Sequence, residues 1–207
     1  MSRNIFSRVT SDLTGMSDKC KVIPPSDFSN SQAQAYVFTE MNEKLYFLLK
    51  SAKDEYAFTN IGMIHIDGER AISSKRQIHR YNYFEHTPTD VILETAGTAD
   101  LDVEIKFTMG RSFSIDVVKA HLEPLIVLYK ILTLIGMTKT EYARHWALVE
   151  RSFEHSRDAV GRLSGTGSAS SEYRAILQHA QSELLAAYDK YHPQEYNAAF
   201  ELYLVGE

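Results

Sequence analysis

Apolar residues recur with a helical period at the beginning of the chain, then with the period of strands, and finally with a helical period again. Four apolar residues near the start have the spacing of a short amphipathic helix: Ile5, Phe6, Val9 and Leu13. The polar run 26–34, which follows two prolines, predicts a loop because short polar side chains compete for backbone hydrogen bonds. We expect residues 1–40 to form a lead-in, and the compact fold to begin near residues 36–44.

Residues 41–136 contain about seven predicted strands, seen as short apolar runs with polar breaks between them. The run 101–107 alternates apolar and charged residues, so that one face can be buried and the other solvated. Asp67-Gly68 has the composition of a tight hairpin turn. The apolar runs are 45–49, 56–59, 61–66, 71–75, 78–84, 90–95, 101–108 and 112–115.

The close spacing of these runs, with no long helix between them, favours an antiparallel barrel or sandwich over an alternating α/β fold. Pro124 then suits a first helical turn, and residues 125–135 predict an unusually apolar helix. Gly136 is well placed to end this helix. We therefore predict an α+β fold, in which an antiparallel β-barrel is capped by one C-terminal helix.

Residues 137–207 predict a helical extension. Thr138 and Glu141 have the spacing of a capping box at a helix start. Two apolar stripes, joined by the glycine- and serine-rich segment 161–171, predict a helical hairpin. A short third helix is expected after His192-Pro193. The stripe residues that we expect at an oligomer interface are Tyr142, Trp146, Val149, Phe153, Tyr173, Leu177, Leu184 and Tyr191.

The two stripes require a second surface, because a lone two-helix hairpin buries little of its apolar face. That surface can be another subunit or the barrel of the same chain. We expect self-association, and docking on the barrel remains the alternative.

Composition narrows the class of protein. The 207 residues include 22 Lys and Arg, 27 Asp and Glu, and the single cysteine Cys20. A net charge of −5 does not suit general nucleic-acid binding, which needs clustered cations, and one cysteine excludes an internal disulfide framework. The most apolar stretch, 125–136, is shorter than the about 20 residues of a membrane span. We expect a cytoplasmic protein with no transmembrane segment and no targeting signal.

The sequence has no recognisable catalytic or metal centre. Its eight histidines are scattered and form no His-Glu-x-x-His motif, and there is no Gly-x-Ser-x-Gly motif of a nucleophilic serine. Asp102 and Glu104 share one strand face, but Lys106 continues that face, which indicates a solvated surface rather than a catalytic carboxylate pair. The glycine-rich run 165–170 lacks the lysine of a phosphate-binding loop. We expect no enzymatic activity, no cofactor and no bound metal.

The strand region contains one basic cluster, which is a candidate anion-binding site. Its members are Lys53, Lys75, Arg76 and Arg80. Clustered cations can bind an anionic ligand even on an acidic protein. Cations also protect strand edges against unwanted pairing. We favour the protection of a strand edge as the role of this cluster, and an anion-binding site is the alternative.

The order of strands and helix resembles that of the bacterial pleckstrin-homology (PH) family, once classified as a domain of unknown function. Three segments carry the resemblance: Phe-Thr-Asn at 58–60, Ile-His-Ile-Asp at 64–67, and the most specific one at 94–105, Glu-Thr-Ala-Gly-Thr-Ala-Asp-Leu-Asp-Val-Glu-Ile. The tail resembles the helical oligomerisation extension of the YvbH-like proteins. The resemblance covers residues 44–135 well and residues 139–204 more loosely.

This resemblance implies a PH-like barrel that assembles into a ring-shaped homo-oligomer and has no known enzymatic activity. Phosphoinositide binding is not expected, because the turn 51–55 has one cation and two carboxylates where eukaryotic members have a run of Lys and Arg. Our leading hypothesis is a scaffolding protein that forms a cyclic homo-oligomer through its strand edges and helical tail. The alternative is a module that binds an anionic ligand or an unidentified protein or peptide through Lys75, Arg76 and Arg80.

Overall fold

The computed structural model describes residues 18–68, 75–95, 102–163 and 169–204. The predicted N-terminal helix lies outside these ranges. So do the predicted strand 71–75, except for its last residue, and most of the glycine-rich run 165–170.

In the part of the chain that the structure describes, eight strands form two antiparallel sheets. The larger sheet has the order β1-β2-β3-β4-β5, and the smaller has the order β6-β7-β8. The strands are β1 Lys21–Ile23, β2 Leu45–Lys50, β3 Glu55–Thr59, β4 Gly62–Gly68, β5 Arg76–Asn82, β6 Thr89–Glu94, β7 Asp102–Met109 and β8 Arg111–Val118. All seven strands after β1 overlap a predicted apolar run.

Two details of the predicted strand region are wrong. Asp67 and Gly68 do not form a turn, because they pair with Gln77 and Arg76 in the β4–β5 ladder. The compact fold also begins before residue 36, since β1 pairs with β2 along its whole length. Three-residue β1 is too short, and too close to two prolines, for its sequence pattern to predict a strand.

Among the described residues, backbone hydrogen bonds connect the two sheets along one side. Cys20 forms a parallel bridge with Val117, and its backbone N–H donates to the Asp116 carbonyl at 2.8 Å. β5 and β6 are the end strands of their sheets on the other side, with no further strand hydrogen-bonded to them within the described part of the chain. The predicted antiparallel α+β fold is confirmed, but the sheets do not close into a barrel.

The first part of a long helix, α1 (Leu122–Leu163), fills the space between the sheets. Its core-facing residues are fully buried: Leu125, Leu128, Ile131, Leu132 and Ile135. By length and composition α1 could also cross a membrane, with a mean hydropathy of 1.4 in its most apolar window. Of that window, 39% is buried inside the protein, where these side chains pack among the sheets.

Gly136 does not end α1. The helix continues to Leu163, so the predicted helix end at Gly136 and the predicted helix start at Thr138 and Glu141 are wrong. A Cβ atom at position 136 would lie only 2.5 Å from the Pro88 carbonyl oxygen. Glycine is therefore needed here for the close approach of α1 to the segment before β6, rather than for a helix end.

The chain divides into two compact units, and the last part of the predicted extension 137–207 lies in the same unit as the sheets. One unit ends at Gly136 and resumes at Gln194, and the other is Met137–Pro193. The second unit contains the rest of α1 and α2 (Ala169–Tyr191), which form the predicted helical hairpin. The expected third helix, α3 (Asn197–Leu204), is present but belongs to the sheet unit.

Helix α3 packs on the sheets through aromatic side chains. Phe200 is fully buried and stacks on Tyr46 with ring centroids 4.8 Å apart. The Tyr46 hydroxyl lies within hydrogen-bond distance of two acceptors, Asn197 Oδ1 at 3.0 Å and Glu201 Oε1 at 3.1 Å. Partial burial and the nearby Glu201 carboxylate raise the pKa of Tyr46 to about 12, so the phenol remains a donor. Helix α3 is thus part of the core.

Replacing Phe200 with alanine should lower the free energy of unfolding by about 3–5 kcal/mol, because it opens a cavity in a well-packed core. Urea denaturation followed by circular dichroism measures this change. Leu202→Ala on the same helix is the matched control. Its side chain is 63% exposed, so its effect should stay within about 0.5 kcal/mol. Equal effects of the two substitutions would contradict the assignment of α3 to the core.

Candidate functional site

A buried carboxylate, Glu43, binds Arg80, one of the four predicted cations. Arg80 Nη1 donates to Glu43 Oε1 at 2.8 Å. The Thr59 hydroxyl donates to the same oxygen at 2.6 Å, and the Phe38 N–H donates to Oε2 at 2.7 Å. Burial alone would raise the pKa of Glu43, but these hydrogen bonds and the Arg80 charge hold it below its ordinary value. Glu43 therefore stays ionised and fixes Arg80 in place.

Arg80 in turn holds the segment before β2 against β5. Its Nη2 atom donates to the Tyr36 carbonyl at 2.6 Å, and its guanidinium carbon lies 4.1 Å from the Phe38 ring centroid. Asn60 supports the same segment, because its Oδ1 accepts from the Lys44 N–H at 2.7 Å. Thr59 and Asn60 of the Phe-Thr-Asn motif thus have a structural role here.

The structure does not gather the four predicted cations into one anion pocket. Arg80 is bound to Glu43, and Lys53 Nζ lies 2.9 Å from Asp18 Oδ1. Lys75 and Arg76 lie at the start of β5, where Arg76 Nη1 donates to the Lys75 carbonyl at 3.2 Å. Lys75, Arg76 and Arg80 lie on or beside β5, whereas Lys53 lies in the turn between β2 and β3.

Exposed apolar residues surround Arg80 and form a patch that sequence reasoning missed. We call this patch the β5 surface, and its members are Tyr36, Phe38, Met41 and Ile78. Ile78 is two residues from Arg80 on the same face of the strand, and Arg80 contacts Tyr36 and Phe38 directly. Aromatic residues beside an arginine are typical of the centres of protein interfaces. Because the patch combines segments distant in sequence, no local pattern predicts it.

The other end strand, β6, has acidic exposed positions. Asp90, Ile92 and Glu94 are exposed, and Ile92 has 49% of its surface in solvent. Glu94 Oε1 lies 2.8 Å from Lys106 Nζ on β7. The two end strands therefore differ in charge: β5 has Lys75 and Arg76 at its start, and β6 has two carboxylates.

The acidic row on β7 is explained by local ion pairs. Lys106 Nζ lies 3.0 Å from Glu104 Oε2, and Asp102 pairs with Lys19. A hydrogen bond from Ser114, together with Lys106, lowers the pKa of Glu104 despite partial burial. These contacts fit the predicted solvated face. Within the described part of the chain, no group of three or more His, Cys, Asp or Glu could hold a metal ion.

Three of the predicted interface aromatics in the tail contact their own hairpin. Tyr142 packs edge-on against Tyr191 with ring centroids 5.7 Å apart, and Trp146 packs edge-on against Tyr188 at 5.5 Å and His192 at 4.9 Å. These contacts join α1 to α2. Their spacing in sequence predicts an apolar stripe but does not specify the helix that the stripe faces.

The other predicted tail residues differ in exposure. Val149, Phe153 and Leu184 are half-buried, and Leu177 is exposed. The side chain of Tyr173 lies outside the described part of the structure. The hairpin also exposes apolar residues that the prediction omitted. The exposed set, which we call the hairpin surface, is Met137, Leu148, Ile176, Leu177, Leu185 and Tyr188.

The hairpin has no core of its own. Among the residues of Met137–Pro193 whose side chains are described, 137–158 and 174–193, none is buried. A two-helix layer brings apolar side chains together along one line and leaves both its outer faces in solvent. The hairpin surface therefore contains six exposed apolar side chains, against four in the β5 surface.

Comparison with known proteins agrees with this structure. A family model described as "Bacterial PH domain" matches residues 14–135. The uncharacterized protein YvbH of Bacillus subtilis (strain 168) is 40% identical over 205 residues, which are 97% of this chain and 99% of the relative. The crystal structure of a PH domain containing bacterial protein from Exiguobacterium sibiricum 255-15 is 38% identical. It superposes with a TM-score of 0.82, covering 90% of this chain and 100% of that one.

Glu43→Gln should make the protein less stable at neutral pH, because it removes the charge that Arg80 binds. The pKa of Glu43 in the folded chain lies below the ordinary value of 4.5. Its contribution to stability is therefore complete above that value and is lost as the pH falls through the folded pKa. Urea unfolding from pH 7 to pH 3 should show a deficit in the variant that shrinks on acidification.

Glu40→Gln is the matched control, since Glu40 is an exposed glutamate in the same segment. It should unfold like the wild type at both ends of the pH range. A Glu43→Gln protein as stable as the wild type at pH 7 would contradict the structural role of the Glu43–Arg80 pair.

Proposed function

The chain belongs to the bacterial PH domain family, and from that premise we propose that it is a non-catalytic scaffolding protein that assembles into a ring-shaped homo-oligomer. Its predicted family and PH-like fold are confirmed by the family match and the Exiguobacterium structure. The observation that carries the proposal is the pair of unlike sheet edges, β5 and β6, in one chain.

The two edges suit head-to-tail contact between copies. An end strand presents unpaired backbone donors and acceptors that can pair with another strand. The cations Lys75 and Arg76 on β5 are opposite in charge to Asp90 and Glu94 on β6. Contact between two different edges is heterologous. Such contacts produce a closed ring when a whole number of equal rotations, each from one copy to the next, completes a full turn.

Apolar residues strengthen this edge contact. Ile78 in the β5 surface is 41% exposed, and Ile92 on β6 is 49% exposed. Phe38 and Tyr36 extend the apolar area on the β5 side, and Arg80 holds them in place. Burial of this area between copies would provide the non-directional part of the association free energy, while the charges select the partner edge.

The hairpin provides a second contact between copies. Its surface residues are apolar, and its two helices bury no side chain among those described. Two hairpins from neighbouring copies can form a four-helix arrangement that covers these residues. This supports the prediction that the tail takes part in self-assembly, although with Leu148 and Leu185 rather than Tyr142 and Trp146 as the central residues.

The proposal assigns no reaction to the protein. The clusters that could suggest chemistry are explained by structural contacts, as for Glu43 with Arg80 and Glu104 with Lys106. Burial raises the pKa of the Cys20 thiol to about 12, so this cysteine is not an activated nucleophile. We infer a cytoplasmic location for such a scaffold. The anionic-ligand alternative has less support, because Arg80 and Lys53 are bound to carboxylates.

Charge reversal at the two edges tests the head-to-tail contact. One variant, Asp90→Asn with Glu94→Lys, makes both edges basic, and a second, Lys75→Glu with Arg76→Glu, makes both edges acidic. Each should fail to form the ring alone, whereas an equimolar mixture should associate because unlike edges meet again. Size-exclusion chromatography with light scattering at micromolar concentration measures the mass relative to the 23.6 kDa chain.

Asp116→Lys is the control for this experiment, since it reverses an exposed charge on β8, away from both end strands. It should assemble like the wild type. A wild-type protein that is monomeric under these conditions, or charge-reversed variants that assemble alone, would overturn the proposal.

Leu148→Asp together with Leu185→Asp tests the contribution of the hairpin. These exposed residues make no part of a buried core, so helix content should be unchanged while the oligomer dissociates at higher protein concentration. Sedimentation velocity over a dilution series measures the change. Arg157→Asp is a control at an exposed polar position of α1. If the double variant dissociates at the same concentration as the wild type, the hairpin does not contribute to the assembly.

A further inference from the structure

We propose that His65 and Arg111 form an acid-sensitive latch that fastens the start of β8 to the five-stranded sheet. Arg111 Nη2 lies 2.9 Å from His65 Nδ1. His65 is on β4 and is 2% exposed, whereas Arg111 is an exposed residue of the three-stranded sheet. The contact therefore joins side chains from the two sheets.

The latch complements the backbone junction at the other end of β8. There, Cys20 receives a hydrogen bond from the Val118 N–H at 3.0 Å. At the start of the strand, Arg111 directly follows Gly110, which makes the β7–β8 turn with a positive φ of 70°. The Arg111 guanidinium carbon also lies 4.8 Å from the Phe113 ring centroid. Without the latch, this end of the hairpin would be held to the larger sheet by ring contacts.

The chemistry of the two side chains assigns the proton on His65. A guanidinium can only donate, so His65 Nδ1 must accept, and the neutral ring carries its hydrogen on Nε2. Nε2 is buried and has no hydrogen-bond partner. The nearest carboxylate oxygen, Asp54 Oδ1, is 3.7 Å away, which is beyond hydrogen-bond distance. His65 thus accepts a hydrogen bond from the Arg111 guanidinium and makes no hydrogen bond to the Asp54 carboxylate.

Four titratable or charged groups face the His65 ring from the elements around it. Asp54 precedes β3, Tyr56 stacks on the ring with centroids 4.4 Å apart, His79 on β5 is at 6.0 Å, and Arg111 binds Nδ1. Burial, and then the Asp54 charge, raise the pKa of Tyr56, so this phenol stays neutral on acidification. Histidine is the side chain that takes up a proton between about pH 5 and 8.

A second proton on His65 would have to bind Nδ1, because Nε2 already carries one. This converts the acceptor of the Arg111 hydrogen bond into a donor and places an imidazolium beside a guanidinium. Like charges at this distance repel, and Asp54 attracts the protonated ring from the other side. Protonation therefore releases Arg111, uncovers Phe113 and loosens the β7–β8 turn from the larger sheet.

The tautomer of His65 can be measured in the wild-type full chain. Nitrogen-15 chemical shifts of the ring at pH 8 should show a protonated Nε2 and an unprotonated Nδ1. A ring that carries its hydrogen on Nδ1 at pH 8 would overturn the proposal without any variant.

Hydrogen exchange then tests the release. Protection factors at the β7–β8 turn, residues 109–112, should fall roughly tenfold or more between pH 8 and pH 5, the effect of losing a hydrogen bond to a charged group. His65→Gln keeps an acceptor that does not titrate, so its protection should be independent of pH. Arg111→Gln lacks the guanidinium and should show low protection at both pH values.

His79→Gln is the matched control, because it removes the neighbouring histidine and leaves the Arg111 contact in place. It should retain the wild-type response to pH. A wild-type protection factor that is equal at pH 8 and pH 5, or a response that disappears in His79→Gln and persists in His65→Gln, would contradict the latch.

Discussion

The packing of α1 between two sheets is the constraint on which the rest of the structure depends. Its apolar face, from Leu125 to Ile135, occupies the core, and Gly136 lets the helix approach the segment before β6. The backbones of the two sheets are hydrogen-bonded where Cys20, just before β1, meets β8. This leaves β5 and β6 as end strands of unlike charge, and the proposed assembly follows from that consequence.

Much of the fold follows from local patterns. The alternation in 101–107 predicts β7 because neighbouring residues alone decide which face of a strand is buried. Gly136 shows where such patterns fail, since glycine both ends helices and permits close approach, and only the position of Pro88 distinguishes the two roles. The return of α3 to the sheets also depends on contacts made far along the chain, as Phe200 with Tyr46 shows.

Less of the candidate site could be predicted. Glu43 and Arg80 are 37 residues apart, so the sequence shows a basic cluster without the buried acid that binds its last member. The apolar stripes of the tail are visible in sequence, but Trp146 faces α2 of its own hairpin, and the exposed Leu148 and Leu185 lie outside the stripe. Contacts between segments that are distant in sequence determine which side chains remain exposed, and only exposed side chains can contact another copy of the chain.

Electron cryo-microscopy of the full chain tests the central claim most directly, because it shows which edges meet between copies. We expect a closed ring in which β5 of each copy lies beside β6 of the next, with the hairpins in mutual contact. Monomers, or a two-fold dimer in which β5 meets β5, would contradict it.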